Sequence, residues 1–171
     1  MPVQRLNHAV LYVRDVPRSV RFYSDVLGFR QVMGGATAAF LQAEGSTNDH
    51  DLGLFQVGPD AADSAAGTTA VGLYHLAWEV DTLDELERIA DALARHGALV
   101  GASDHATTKA LYAKDPDGLE FEVSWLLPAD LITDDVVRGK ATVRRLDLAA
   151  EKARYGGTTP GGIGVSVARA R

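Results

Sequence analysis

The 171-residue sequence contains no cysteine, which removes disulfides, thiolate catalysis and cysteine-ligated zinc from consideration. It also has no long uniformly apolar run, so no segment reads as a membrane span. Basic residues are outnumbered, with 17 Lys and Arg against 23 Asp and Glu for a net charge of −6, and the sequence pI is near 5.3. That balance disfavours nucleic acid, because phosphate binding needs a basic face to displace counterions. The N-terminus MPVQRLNHAVLYV lacks a charged region, apolar core and small-residue cleavage site, so no secretory signal is visible and a cytoplasmic location is the expectation. With 46% hydrophobic residues, the composition suits one globular domain or two small fused modules acting on a small molecule. Any metal would be held by nitrogen and oxygen donors.

An internal repeat of about 65 to 70 residues organises the chain. The first copy, residues 1–57, predicts a strand over Leu6 to Val13 and a helix capped by Asp15, with Pro17 in its first turn and Gly28 at its end. Extended segments follow near Arg30 to Met33, Ala36 to Gln42 and Asp51 to Val57. The second copy, residues 73–127, repeats the order. It begins with a strand over Leu73 to Val80 and continues with a helix opened by a Thr82/Glu85 capping box and ended by Gly97. Strands near Ala98 to Val100, Lys109 to Lys114 and Leu119 to Trp125 complete it, the last two joined by the turn Asp115-Pro116-Asp117-Gly118. Each copy is therefore βαβββ. Residues 58–72 read as a small, Gly-rich linker. Residues 128–171 read as an extension with short helices and a flexible, Gly-rich end, GGTTPGGIGVSVARAR.

Three residues within this pattern are of metal-binding type: His8 in NHAVLYV, His75 in YHLAWEV and Glu122 in LEFEVSW, each read as lying in a strand. The two histidines occupy equivalent points of the two copies. Glu122 shares a strand face with Glu120 and Ser124, opposite Phe121, Val123 and Trp125. Two imidazoles and a carboxylate hold a divalent ion on one side and leave other positions open. Taken singly, each histidine also fits a hydrogen-bonded core or rim residue. Val10, Tyr12 and Ala77 share the parity of the histidines and predict a partly apolar cavity, with Glu79 as a polar group on the same face or at its rim. His96, beside Gly97, reads as a solvated partner of a helix dipole.

The segments LNHAVLYVRDVPRSVRFYSDVLGF, YHLAWEV and LYAKDPDGLEFEV resemble the vicinal oxygen chelate superfamily over roughly residues 5 to 127. That superfamily includes glyoxalase I, extradiol dioxygenases, epimerases and fosfomycin or bleomycin resistance proteins. The resemblance implies an α+β fold: two tandem βαβββ modules forming a paired, curled mixed sheet around a metal cavity, with ligands at His8, His75 and Glu122. Glyoxalase-like members add a fourth ligand on the last strand of the first copy. Here that position falls at Gly53, with Gln56 close enough to replace it if the register differs.

A three-ligand site favours extradiol cleavage of a catechol-like aromatic with O2, and SDHATTKALYAKDPDGLEFEV looks like the corresponding part of small catechol 2,3-dioxygenase-type members. By that resemblance His50 is the acid/base, Tyr112 an oxyanion partner and His105 a further histidine ahead of it. His50, flanked by Asn48, Asp49 and Asp51, equally suits an ordinary loop; His105 has the same alternative, and Tyr112 that of covering the core. The metal expected is Fe(II), with Mn(II), Zn(II), Ni(II) or Co(II) as alternatives. Two other readings remain open here: a glyoxalase- or isomerase-type Lewis-acid enzyme, and a non-catalytic small-molecule binder of the resistance-protein kind. A homodimer is also in keeping with the resemblance.

Overall fold

A computed structural model describes residues 2, 3 and 5–162 of the protein. The chain divides into two compact units. Unit 1 holds residues 1–64 together with the turn Asp115–Leu119, and unit 2 holds residues 65–114 and 120–171.

Unit 1 contains β1 (Ala9–Val13), α1 (Val16–Leu27), β2 (Arg30–Gly34), β3 (Ala38–Gln42) and β4 (Leu52–Gln56). Asp15 caps α1 by accepting from the Arg18 amide at 2.8 Å, and Pro17 occupies its first turn, where a missing N–H costs nothing. The sheet order is β1-β4-β3-β2, with β1 parallel to β4 and the other pairs antiparallel. Its core combines Leu11, Val13, Leu41, Leu52 and Leu54 with Val16, Phe22, Tyr23 and Val26 of α1. The 115–119 turn belongs to this unit through three side chains. Arg14 pairs with Asp117 at 3.2 Å, Arg18 also pairs with Asp117, and the buried Tyr23 hydroxyl donates to Asp115 at 3.1 Å. Gly118 adopts φ 81° and its amide donates to the Asp115 carbonyl, closing the tight turn that Pro116-Asp117 opens.

Unit 2 repeats the order with β5 (Leu76–Val80), α2 (Leu83–Arg95), β6 (Leu99–Asp104), β7 (Thr108–Lys114) and β8 (Glu120–Leu126), then adds α3 (Asp134–Gly139), β9 (Arg144–Arg145) and α4 (Leu148–Tyr155). Its sheet order is β5-β8-β7-β6-β9, with β5 parallel to β8. Thr82 caps α2 through the Glu85 amide at 3.2 Å. The apolar stripe Leu83, Leu86, Ile89 and Leu93 is buried together with Leu111, Phe121, Val123 and Trp125. Among the described residues there are thus two mixed sheets, of four and five strands, neither closed into a barrel. No helix among the described residues is long and apolar enough to cross a membrane.

Several expectations are corrected. His8 and His75 each stand one residue before a strand and not inside it, because β1 and β5 begin pairing only at Ala9 and Leu76. β6 runs on to Asp104, since Ser103 and Asp104 pair on one side with Ala110 and Lys109 and on the other with Arg145 and Arg144. Polar residues suffice for that backbone ladder. The extension is not loose up to residue 162. Asp84 N donates to Gly157 O at 2.9 Å, Trp125 Nε1 to Thr159 O at 3.3 Å and Gly162 N to Leu126 O at 3.0 Å. Gly161 crosses the Trp125 indole so closely that a Cβ there would come within 2.7 Å of the ring. The remainder of the expected flexible end, 163–171, lies outside the described residues.

Lys109 breaks the apolar alternation of β7 yet is 1% exposed. Its ammonium pairs with Asp104 at 2.5 Å and with Glu151 of α4 at 2.8 Å, so the extension supplies half of its charge compensation. Lys109→Met would leave Glu151 without its paired cation and Asp104 with only the more distant Arg144, and unpaired buried charge is costly. The expected loss is about 3–5 kcal/mol of unfolding free energy by urea denaturation. A loss below about 1 kcal/mol would show that the pair is not structural.

Candidate metal and catalytic site

The position of each candidate ligand follows from the parallel pairing of the first and last strands of its unit. In unit 2, Ala77 lies opposite Glu122; in unit 1, Val10 lies opposite Gly53. His75 is two residues before Ala77 and His8 two residues before Val10, so Gly53 is the unit 1 counterpart of Glu122. This agrees with the register expected from the sequence. A Cβ at Gly53 would meet Val10 Cγ2 at 3.3 Å, a contact that asks for a few tenths of an ångström of give, and Phe40 at 3.7 Å, an ordinary van der Waals contact. Gln56 is on the other strand face with Leu52 and Leu54, and its Oε1 accepts from the Val16 amide at 3.3 Å. Its side chain is thereby engaged at the start of α1.

Unit 1 gathers His8, His50 and Phe40. The His8 and His50 rings are 4.5 Å apart between centroids, and His50 meets Phe40 edge-on at 5.0 Å. His8 is exposed, and its Nδ1 lies 2.8 Å from Asn7 Oδ1. Because Asn Oδ1 can only accept, this contact assigns the ring proton to Nδ1 and leaves the Nε2 lone pair available. Asn7 was not singled out from the sequence; its place beside a candidate ligand histidine was the only signal. His50 is mostly shielded, with Nδ1 3.3 Å from Asp49 Oδ1. The hydrogen bond from the His50 amide is the main cause of the lowered pKa of the Asp49 carboxyl.

Unit 2 gathers His75, Glu122, Tyr112 and His105. His75 Nε2 is 3.3 Å from Glu122 Oε2, and both side chains are largely buried. Tyr112 is the register partner of Glu122 across β7 and β8. The Tyr112 hydroxyl lies 3.0 Å from His105 Nε2, and its ring is 6.1 Å from that of His75. His96 caps the end of α2 in solvent, its amide bonded to Ala92 O.

Two of the donors fit a divalent ion. Ligands at ordinary nitrogen and oxygen distances, at a right angle on one ion, are about 3 Å apart, and the His75–Glu122 separation is a few tenths longer. His75 Nδ1 is buried without a hydrogen-bond partner, so the ring is held by its Nε2 contact and by packing against Tyr74, 4.6 Å between ring centroids. Within either unit, among the described residues, no three His, Asp or Glu side chains cluster to hold an ion. The candidate set is divided, with His8 in unit 1 and His75 and Glu122 in unit 2.

With the two βαβββ motifs and their histidines established, the chain matches the Glyoxalase/Bleomycin resistance protein/Dioxygenase superfamily over residues 5–123, and it belongs to that family. It is 33% identical over 118 residues to a catechol-2,3-dioxygenase of Bacillus subtilis, covering 69% of this chain but 40% of that protein. It is 26% identical to the metallothiol transferase FosB of Lysinibacillus sphaericus, covering 71% of this chain and 82% of that one. The chain therefore spans well under half the length of the Bacillus subtilis relative. Among solved structures, a glyoxylase/bleomycin resistance protein/dioxygenase domain from Frankia sp. EAN1pec aligns over 72% of this chain and 92% of its own, with a TM-score of 0.56 and 23% identity. A glyoxalase/dioxygenase from Nostoc punctiforme aligns over 71% and 90%, with a TM-score of 0.57 and 22% identity. These two likenesses establish the fold.

Burial, and then the negative charge of Glu122, raise the Tyr112 phenol above its ordinary value. A raised folded-state pKa means the native phenol keeps its proton longer than the unfolded one. The associated stability is complete below the unfolded value, near 10, and is lost as pH rises through the folded value. In chelator-treated protein with 13C-labelled tyrosine, Glu122→Gln is expected to move the Tyr112 titration partway down, while the deeply buried Tyr23 keeps its own elevated value. An unchanged Tyr112 titration in Glu122→Gln would mean that burial alone sets it.

Proposed function

We propose that this protein is a metal-dependent extradiol-type dioxygenase that cleaves a catechol-like aromatic with O2. The observation that carries the reading is the convergence of His75 Nε2 and Glu122 Oε2 at 3.3 Å beside the Tyr112–His105 pair at 3.0 Å. His8, His75 and Glu122 are the residues that would hold the ion, Fe(II) by preference. Two nitrogens and one oxygen on one side are the donor set of non-haem iron oxygenases. When bound, such an ion supplies a place where both diol oxygens and dioxygen can be brought together, and it acidifies the diol.

The chain's own residues do the rest. His50, packed between His8 and Phe40, is the base that takes the second hydroxyl proton and later returns it; an imidazole exchanges protons near neutrality. Tyr112 donates a hydrogen bond to the oxygen on which charge develops, while its own contact with His105 fixes the phenol's direction. The exposed apolar groups Val10 and Tyr12, on the strand face that carries Gly53, present a surface suited to a flat ring. In the overall reaction the ring carbon–carbon bond beside the diol breaks, and both atoms of O2 enter the product.

The absence of a side chain at Gly53 and the engagement of Gln56 at α1 support three protein ligands over four, and so favour dioxygenase chemistry over glyoxalase-type Lewis-acid chemistry. The test is anaerobic Fe(II) reconstitution of wild type and His75→Ala, followed by O2 and a panel of catechols. Wild type is expected to bind one ion per chain and to form the yellow ring-cleavage product. His75→Ala is expected to bind the ion at least tenfold more weakly and to lose activity. Iron binding without cleavage of any catechol would favour the Lewis-acid isomerase reading, and failure to bind any divalent ion would favour a small-molecule binder.

A further inference from the structure

A cavity of about 210 Å3 opens in unit 2, with Lys109 in its wall. Lys109 and Tyr112 are three residues apart on β7, so they face opposite sides of the sheet, and the cavity is separate from the His75–Glu122 cluster. Asp104 and Lys109 come from β6 and β7. The other charged walls come from the extension: Asp135 of α3, Arg144 of β9 and Arg154 of α4, with Tyr155 beside it. Those four residues lie beyond residue 123, where the family match ends. The cavity thus forms where the extension meets β6 and β7, and the extension supplies most of its charged wall.

Its charges do not cancel. Lys109 is compensated by Asp104 and Glu151, and Asp135 is paired with Arg138. Arg144 acts on Asp104 only at longer range, as one of the charges that lower its pKa, and Arg154 has no carboxylate in ion-pair contact among the described residues. Three cations, Lys109, Arg144 and Arg154, thus line the cavity with two carboxylates, Asp104 and Asp135, in a chain whose net charge is −6. The Arg154 guanidinium lies over the Tyr155 ring at 4.8 Å, a stacking that holds its planar fork in place. The Tyr155 ring belongs to the wall, while its hydroxyl is buried away from the open space. The volume corresponds to about seven waters at roughly 30 Å3 each, enough for phosphate or a short carboxylate.

We propose that this cavity binds a small oxyanion, a carboxylate or a phosphate, held by Arg144 and Arg154. Arg144 stands on β9 and Arg154 on α4, so a bound anion links two elements of the extension across the cavity mouth. Binding to the folded state alone then stabilises unit 2 by mass action.

The test is thermal unfolding of the full chain, in chelator and at fixed ionic strength, titrated separately with inorganic phosphate and with succinate. The variants are Arg144→Gln, Arg154→Gln, Tyr155→Phe and His75→Ala. At least one of the two anions is expected to raise Tm saturably in wild type, and which one does so distinguishes phosphate from carboxylate. Each arginine variant should weaken the apparent affinity about tenfold, while Tyr155→Phe, which keeps the ring in the wall, should respond as wild type does. His75→Ala should respond as wild type does. The proposal is overturned if neither anion gives a saturable rise, if the arginine variants respond like wild type, or if His75→Ala abolishes the response.

Discussion

Parallel pairing between the first and last strands of each βαβββ motif is the constraint on which the rest depends. A parallel pair cannot be closed by a tight turn, so each motif must send its chain through a helix and two further strands before returning. That return aligns Val10 with Gly53 and Ala77 with Glu122. The residue that introduces each first strand is then a histidine beside the last strand, where a single side chain decides what kind of site results. In unit 2 that side chain is a carboxylate, and in unit 1 it is a hydrogen atom. One topology used twice therefore yields unequal donor sets.

Much of this was legible in the residues. The repeat, the Asp15 and Thr82 caps and the apolar stripe Leu83, Leu86, Ile89 and Leu93 each state a local rule with one structural solution. The fourth-ligand position that the family resemblance put at Gly53 falls opposite Val10. What could not be read lies where the rule is not local. Lys109 looks like a strand error until Glu151, 42 positions later, arrives to share its charge. β9 is only Arg144–Arg145, and two charged residues carry no periodicity; they form a strand because β6 has a free edge at Ser103 and Asp104. The Asp115–Gly118 turn read as pure geometry, yet its carboxylates serve Arg14, Arg18 and Tyr23, about 100 positions earlier.

The extension has a similar logic. A helix N-terminus needs acceptors for its first amides, and α2 obtains one from the Gly157 carbonyl at Asp84 N. Lys152 adds a cation beside Asp84 and Glu87 in the first turns of the same helix, at 2.8 and 2.5 Å. These contacts are surface-exposed and individually weak. The buried Lys109–Glu151 pair and the passage of Gly161 over Trp125 are different, because neither tolerates displacement: one would strand a charge, and the other already has no room for a methyl group. The extension is thereby fixed in unit 2 at points that solvent cannot replace.

The asymmetry at Gly53 bears most directly on chemistry. A side chain at position 53 would meet Val10 at 3.3 Å and its cross-strand partner Phe40 at 3.7 Å, contacts that a few tenths of an ångström of give would absorb. Phe40 stands to Gly53 as Tyr112 stands to Glu122, so an aromatic partner on the neighbouring strand does not bar a side chain at this register point. Phe40 also packs against His50 and Phe55 at 5.0 and 5.8 Å between ring centroids, which makes the face beside Gly53 aromatic. What unit 1 lacks there is therefore a donor and not room: the same strand pairing carries glycine in one motif and glutamate in the other.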